Sequence, residues 1–289
     1  MAGGAMEAAQ RKIGPYHCLA RVAGGGMGTV WRVALPDRPT EAAIKIMHPH
    51  LARLRTARAD FAREYEYGRR FHNEFLLRFY DRGAHEGCPY FVMEYFPSAT
   101  LKSLILGPER PKLLTLGEKL IRQAARALGP VHAAGVVHRD IKPDNVLVGN
   151  QELAEGGLLI RIIDFSTAIG GWRRWFPWGR RAAGTPTYVA PEIIRGGTPA
   201  PAADVFSFGA TLYELFAGRP PFAGDNQQEV LRKRLTTRPD PLDKWNPAVS
   251  DAFVKYVSAL LEKDPRARPP DMTSALARFD RVGGIFRER

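Results

Sequence analysis

The sequence predicts an α+β protein that is strand-rich over its first third and mostly helical beyond it. Two patterns carry that expectation. From Tyr16 onward, apolar residues fall in short runs punctuated by turn residues. VAGGGMGTV (22–30) reads as two strands joined by a glycine-rich turn, AAIKIM (42–47) as a buried strand, and PYFVMEYF (89–96) as a strand ending in a linker. Farther along, the apolar residues recur at helical spacing. Leu116, Leu120, Ala124, Leu128 and Val131 mark a helix to about Ala133, opened by a capping-box pattern of Thr115 and Glu118. DVFSFGATLYELFAG (204–218) is apolar on nearly every face and so reads as a helix buried on all sides. Ser250 caps a last amphipathic helix with Phe253, Val257, Leu260 and Leu261 on one face.

Composition sets the bounds. The 289 residues are 45% hydrophobic and 25% charged, which suits a soluble chain of one large or two small domains with ample core. A net charge of +12 suits nucleic acid, anionic membrane or acidic protein partners, but many proteins are simply basic, and that reading comes first. Cys18 and Cys88 lie far apart and outside any CxxC or metal spacing, so they read as free thiols in a reducing compartment. The longest stretch without a charge or histidine falls well short of the roughly 18 apolar residues a membrane-spanning helix needs. MAGGAMEAAQRK at the N-terminus has no apolar signal core, and Ala2 stands where myristoylation needs glycine. A cytoplasmic protein is expected, with flexible tails at 1–12 and 282–289 and no room for an appended sensor domain.

The chemistry concentrates in HRDIKPDNVLV (138–148). Asp140, Lys142 and Asn145 share one short loop that runs into the apolar strand Val146-Leu147-Val148. Phosphoryl transfer needs an acceptor for the attacking hydroxyl's proton, a cation beside the γ-phosphate and an oxygen ligand for Mg²⁺. This loop holds all three. The stretch resembles the catalytic loop of the eukaryotic-type (Hanks-type) serine/threonine protein kinases, and with GGMGTVWR it is most similar to their bacterial soluble members. The resemblance spans nearly the whole chain.

That resemblance implies a bilobal fold, with a kinase domain over 13–281, a small β-rich lobe over about 13–94 carrying one main helix, and a larger helical lobe over about 97–281. It also implies Mg²⁺ (or Mn²⁺) and ATP as cofactors and a protein Ser/Thr substrate. Val22, Ala23, Gly24, Gly25, Gly26, Gly28 and Val30 match the glycine-rich nucleotide loop, with Ala23 at its first glycine position. Lys45 would hold the ATP phosphates and pair with Glu64, which spacing favours over Glu66. Met93 would be the gatekeeper, Glu94 and Phe96 would offer backbone groups to adenine, and Val22, Val30, Ala43 and Leu147 would sandwich the base. Asp140 would be the catalytic carboxylate with Lys142 beside it, and Asn145 and Asp164 would hold metal. His138 reads as a packed core histidine that holds the loop.

Asp164-Phe165-Ser166 stands where the family has Asp-Phe-Gly. A side chain at 166 restricts the backbone, so interconversion of this segment is expected to change while catalysis persists. Gly68, one turn after Glu64, weakens that helix by about 1 kcal/mol relative to alanine. GTPTYVAPE (184–192) resembles the substrate-docking loop. Thr185 with Lys142 matches Ser/Thr-specific members, Glu192 should pair with Arg268, and Asp204 should brace the catalytic loop. Between Ile169 and Gly184 there is no Ser, Thr or Tyr, whereas Trp172, Trp175 and Trp178 alternate with four arginines. Activity should therefore not depend on phosphorylation there. Loop 172–181 reads as a self-packed segment or as a dock for a protein or membrane surface, with nucleic acid disfavoured. Ala23, Ser166, Gly68 and this loop also motivate a second reading, a pseudokinase scaffold that binds nucleotide. A small-molecule kinase is disfavoured by GTPTYVAPE.

Overall fold

The computed structural model describes residues 11–36, 40–170 and 187–288. The chain divides into two units, Met1–Pro97 with Asp164–Thr167, and Ser98–Ile163 with Ala168–Arg289.

The first unit is built on a six-stranded antiparallel sheet. Its strands are β1 (Lys12–Ile13), β2 (Tyr16–Gly24), β3 (Gly28–Ala34), β4 (Glu41–Met47), β5 (Phe79–His85) and β6 (Cys88–Glu94), in the order β1-β2-β3-β4-β6-β5. Glu86 and Gly87 both take positive φ (49° and 77°), the geometry that matches a two-residue turn to the twist of β5 and β6. One face buries Ile13, Tyr16, Cys18, Val33, Ile44, Tyr90 and Val92 together. β4 is central and buried on both faces, as its nearly continuous apolar run requires. After the short α1 (Pro49–Ala52), α2 (Arg55–Arg70) buries Ala57, Phe61, Glu64, Tyr65 and Gly68, one stripe at helical spacing. Phe61 meets Phe91 at 4.7 Å between ring centroids, and Phe79 meets Phe91 at 5.3 Å and Tyr65 at 6.1 Å.

Gly68 has a packing reason that helix propensity hides. A Cβ there would lie 2.2 Å from Phe79 Cε2, so only glycine lets β5 seat this ring against α2.

The second unit is mostly helical. It comprises β7 (Ser98–Thr100), α3 (Leu101–Leu106), α4 (Arg110–Thr115), α5 (Gly117–Ala133), β8 (Val136–Val137), β9 (Val146–Gly149), α6 (Asn150–Ala154), β10 (Ile160–Ile162), β11 (Ile169–Gly170), α7 (Pro191–Ile194), α8 (Pro201–Ala217), α9 (Gln227–Thr236), α10 (Asp251–Leu260) and α11 (Met272–Phe279). β9 lies between β7 and β10, and β8 pairs with β11. Gln123 of α5 clamps the start of β10, donating to Leu158 O (2.7 Å) and accepting from Ile160 N–H (2.9 Å). As expected, α8 is buried on every face, without interruption from Ala202 to Phe216. It starts on Pro201 and stops at Gly218, whose left-handed φ of 75° ends the helix. Around it pack Phe253 of α10, 4.7 Å from Phe216, and beyond that Phe279 of α11.

Two expectations need correction. Thr115 does not cap α5, because α4 runs directly into it. Thr115 is itself helical, and its hydroxyl turns back to donate to Lys112 O at 2.8 Å. Ser250 does cap α10, accepting from Phe253 N–H at 3.2 Å, but α10 is not the last helix, since Asp271 caps α11 by accepting from Ser274 N–H at 2.7 Å. No helix among the described residues is long and apolar enough to cross a membrane.

Candidate active site

In the first unit, β4 carries Lys45 between Val30 of β3 and Phe91 of β6. Its alkyl stem fills an apolar layer, so the ammonium needs an anionic partner. Glu64 provides one, with carboxylate oxygens 2.7 and 2.6 Å from Nζ and the residue only 4% exposed. Glu66 faces outward to Arg82 instead. Burial lowers the Lys45 pKa, but Glu64 and Asp164 outweigh it and hold the ammonium above its ordinary value. Burial pushes Glu64 up, Lys45 opposes this, and the neighbouring Asp164 adds to it. Two carboxylates thus face one ammonium, and a further cation would balance the cluster.

Asp164 takes the left-handed φ of 70°, a strained conformation for a residue with a side chain. The segment is held on the α2 side. Ser166 N–H donates to Asp164 Oδ1 (3.2 Å), Arg63 Nη1 donates to Ser166 O (3.0 Å), and Phe165 stacks on Phe71 at 6.5 Å. Ser166 is not among the positive-φ residues, which explains how serine is accommodated.

Along the glycine-rich turn, Val22 to Gly26 are exposed, Gly28 is buried and Val30 is half-buried. A Cβ on Gly28 would strike Ile46 O at 2.2 Å, so this glycine is fixed by close approach to β4. Ala43 and Met93 are buried neighbours on β4 and β6, Glu94 ends β6, and Phe96 follows half-buried.

In the second unit, the loop after β8 is organised from beneath by Asp204 of α8, which is fully buried. Its carboxylate accepts from His138 N–H (2.7 Å), Arg139 N–H (2.8 Å) and His132 Nε2 (3.0 Å). Because Met272 N–H donates to His132 Nδ1 at 3.2 Å, the proton of that ring sits on Nε2. Burial alone would raise the Asp204 pKa, but the His132 hydrogen bond, the imidazoles and the Arg139 amide bring it below the ordinary carboxylate range. Arg139 pays for its place with a left-handed φ of 72°. His138 is buried, as expected, with Nε2 3.1 Å from Ile163 O.

Asp140 projects from this braced loop. Lys142 Nζ (2.7 Å) and Asn145 Nδ2 (2.8 Å) both donate to Oδ2, and Asn145 Nδ2 also reaches Asp140 O at 2.8 Å. With Nδ2 so occupied, the Asn145 side-chain Oδ1 is left for another partner, while the backbone carbonyl accepts from Ile163 N–H at 3.0 Å. Leu147 lies half-buried on β9 between Thr100 and Arg161. Arg268 meets Glu192 through both terminal guanidinium nitrogens, Nη1 at 3.0 Å and Nη2 at 2.5 Å, and Nη1 also donates to Ala202 O. Thr185, Trp172, Trp175 and Trp178 lie outside the described residues.

Three features escaped the sequence reading: Arg63 on Ser166, His132 under Asp204, and Glu214 of α8, buried and held by Lys102 and Tyr188. Glu214 alone left a trace, as an acidic residue inside an otherwise apolar helix.

These units define the class. The crystal structure of the PknI kinase domain of Mycobacterium tuberculosis superposes with a TM-score of 0.71 at 24% identity, covering 96% of this chain and 99% of that one, so the fold is that of a protein kinase. Residues 16–278 match the protein kinase domain family, and the chain belongs to it. Among its relatives are the serine/threonine-protein kinase PrkC of Bacillus subtilis, 31% identical over 89% of this chain, and the DNA damage-responsive serine/threonine-protein kinase RqkA of Deinococcus radiodurans, 34% identical over 92%. The chain spans only 38% and 40% of those two proteins, respectively.

Proposed function

We propose that this chain is a Mg²⁺-ATP-dependent serine/threonine protein kinase. The observation that carries the reading is the asymmetry of Asp140. Its Oδ2 is held by Lys142 and Asn145, while its Oδ1 has no hydrogen bond among the described residues and can receive a substrate hydroxyl.

The donor set fits the groups the family uses. Asn145 and Asp164 offer hard oxygens suited to Mg²⁺, with Mn²⁺ as a substitute, and Lys45 offers a fixed ammonium for phosphate oxygens. Bound Mg²⁺-ATP supplies the electrophilic γ-phosphorus and neutralises its leaving group. Asp140 Oδ1 orients the Ser or Thr hydroxyl and takes its proton as the new P–O bond forms and the bond to the β-phosphate oxygen breaks. Lys142 offsets charge on the transferring group, and Glu64 holds Lys45 in place. Gly68 no longer argues for a scaffold, since Phe79 explains it. A cytoplasmic location belongs to the same reading, supported by the buried free thiols Cys18 and Cys88.

The test is transfer of labelled γ-phosphate from ATP to the chain itself and to a generic basic protein, with Mg²⁺ or Mn²⁺, beside Asp140→Asn. Transfer by wild type and its near-abolition in the variant are expected. Full activity in Asp140→Asn would sink the assignment. Phosphosite mapping of the product should find no site at 169–184, with Thr185 and Thr187 as candidate acceptors outside it.

A further inference from the structure

The glycine-rich turn is fastened to the rest of its unit by a residue that no catalytic motif includes. His48 follows β4, three positions after Lys45. Its backbone N–H donates to Met27 O at 3.1 Å, and its ring Nε2 lies 3.0 Å from Gly25 O. A carbonyl only accepts, so Nε2 carries the proton in this contact. The turn closes on itself through Gly25 N–H to Gly28 O at 2.9 Å. One residue thus grips the turn at two carbonyls.

His48 is itself well placed to hold. It precedes Pro49, which restricts it to the extended backbone observed (φ −65°, ψ 138°). Its ring stacks on His50, with centroids 5.6 Å apart and planes 13° from parallel.

We propose that His48 is a positioning residue that aims the turn's backbone at an anionic oxygen of the nucleotide. The peptide between Gly25 and Gly26 is planar and trans, so its C=O and N–H point in opposite directions. With the Gly25 carbonyl tied to His48, the Gly26 N–H points away from that anchor. It finds no partner among the described residues, and a Cβ on Gly26 would meet nothing within 4 Å. An outward N–H in a side-chain-free turn is a donor for a phosphate oxygen. Four of the five residues from Gly24 to Gly28 are glycine, so without an anchor the turn would lose much backbone freedom on binding. His48 limits that loss beforehand. The inference rests on the kinase reading above, because it takes the ligand to be a nucleoside polyphosphate.

The test compares the wild-type chain with His48→Phe, which keeps a ring to stack on His50 but removes the donor, and His48→Gln, which restores an N–H at similar reach. Hydrogen exchange of residues 22–30 without nucleotide reads the anchor, and calorimetric titration with Mg²⁺-ADP reads its consequence. In His48→Phe, exchange in the turn should quicken and the dissociation constant should rise about 2- to 10-fold, the equivalent of one net hydrogen bond. His48→Gln should recover most of both. Unchanged exchange in His48→Phe would refute the anchor. Faster exchange with unchanged affinity would refute the positioning role while leaving the kinase reading intact. Wild type that binds no nucleotide would overturn the kinase reading and this inference with it.

Discussion

Replacing Gly68 by alanine sets two effects against each other. Helix propensity favours alanine by about 1 kcal/mol in a helix interior. Against that stands the Phe79 ring: a methyl group at residue 68 would lie 2.2 Å from Cε2, 2.6 Å from Cδ2 and 2.7 Å from Cζ, all inside contact distance. The ring cannot swing away freely, because it packs 5.3 Å from Phe91 and 6.1 Å from Tyr65. Overpacking of this kind costs about 1–3 kcal/mol, and each disturbed aromatic pair adds about 0.5–1.5 kcal/mol. The clash wins. Gly68→Ala should destabilise the protein by about 1–5 kcal/mol and lower the thermal midpoint by about 2–4 °C for each kcal/mol lost, followed by far-UV circular dichroism. With the ring confined, α2 must move off β5 to make room, which carries Glu64 away from Lys45, so phosphotransfer should fall as well. Adding Phe79→Leu should relieve the clash, giving a double-mutant coupling of about 1 kcal/mol. A higher midpoint in Gly68→Ala would refute the packing argument and return the glycine to being a mere helix weakness.

Other perturbations test other parts. Arg63→Ala should free the Ser166 carbonyl and lower turnover about 3- to 10-fold with partial rescue by lysine; unaltered turnover would mean that the Arg63 contact does not hold Asp164 in place. Arg268→Ala should cost about 3–5 kcal/mol in urea unfolding, because Glu192 loses a two-pronged partner, and Arg268→Lys should recover little of it. Lys263 gives a pH prediction. Its Nζ sits 4.0 Å from the Phe222 ring centroid with no hydrogen-bond partner among the described residues, and burial with nearby Arg234, Arg195 and Arg268 brings it from 10.5 down to about 8. The folded chain then releases this proton near pH 8 while the unfolded chain keeps it to about 10.5, so this residue makes stability rise with pH across that window. Lys263→Met should be more stable at pH 7, and the advantage should shrink as pH rises; a constant advantage would show that the lysine does not titrate there.

What could be read from the sequence, and what could not, follows from the kinds of contact involved. Lys45 was legible because a charge in an apolar strand demands an explanation, and Glu64 because spacing separates it from Glu66. Asp204 stood out as a carboxylate opening a helix otherwise apolar on nearly every face. Lys45 and Asp204 are side chains whose chemistry conflicts with their neighbours in the chain. Arg63, His48 and His132 show no such conflict. Arg63 is one of five arginines on α2, and nothing local distinguishes it from Arg58 or Arg69. Its partner, the Ser166 carbonyl, lies 103 positions away and belongs to the backbone, which is chemically alike at every residue. The same holds for His48 on Gly25 and for the Met272 amide on His132. A side-chain-to-side-chain pair leaves two marks in a sequence, and a side-chain-to-backbone pair leaves only one. Gly68 is the opposite case, marked by what is missing, and it was misread because propensity concerns the helix alone while the ring that requires the glycine comes from β5. The residues proposed to perform the chemistry were therefore legible, and much of what aims them was not.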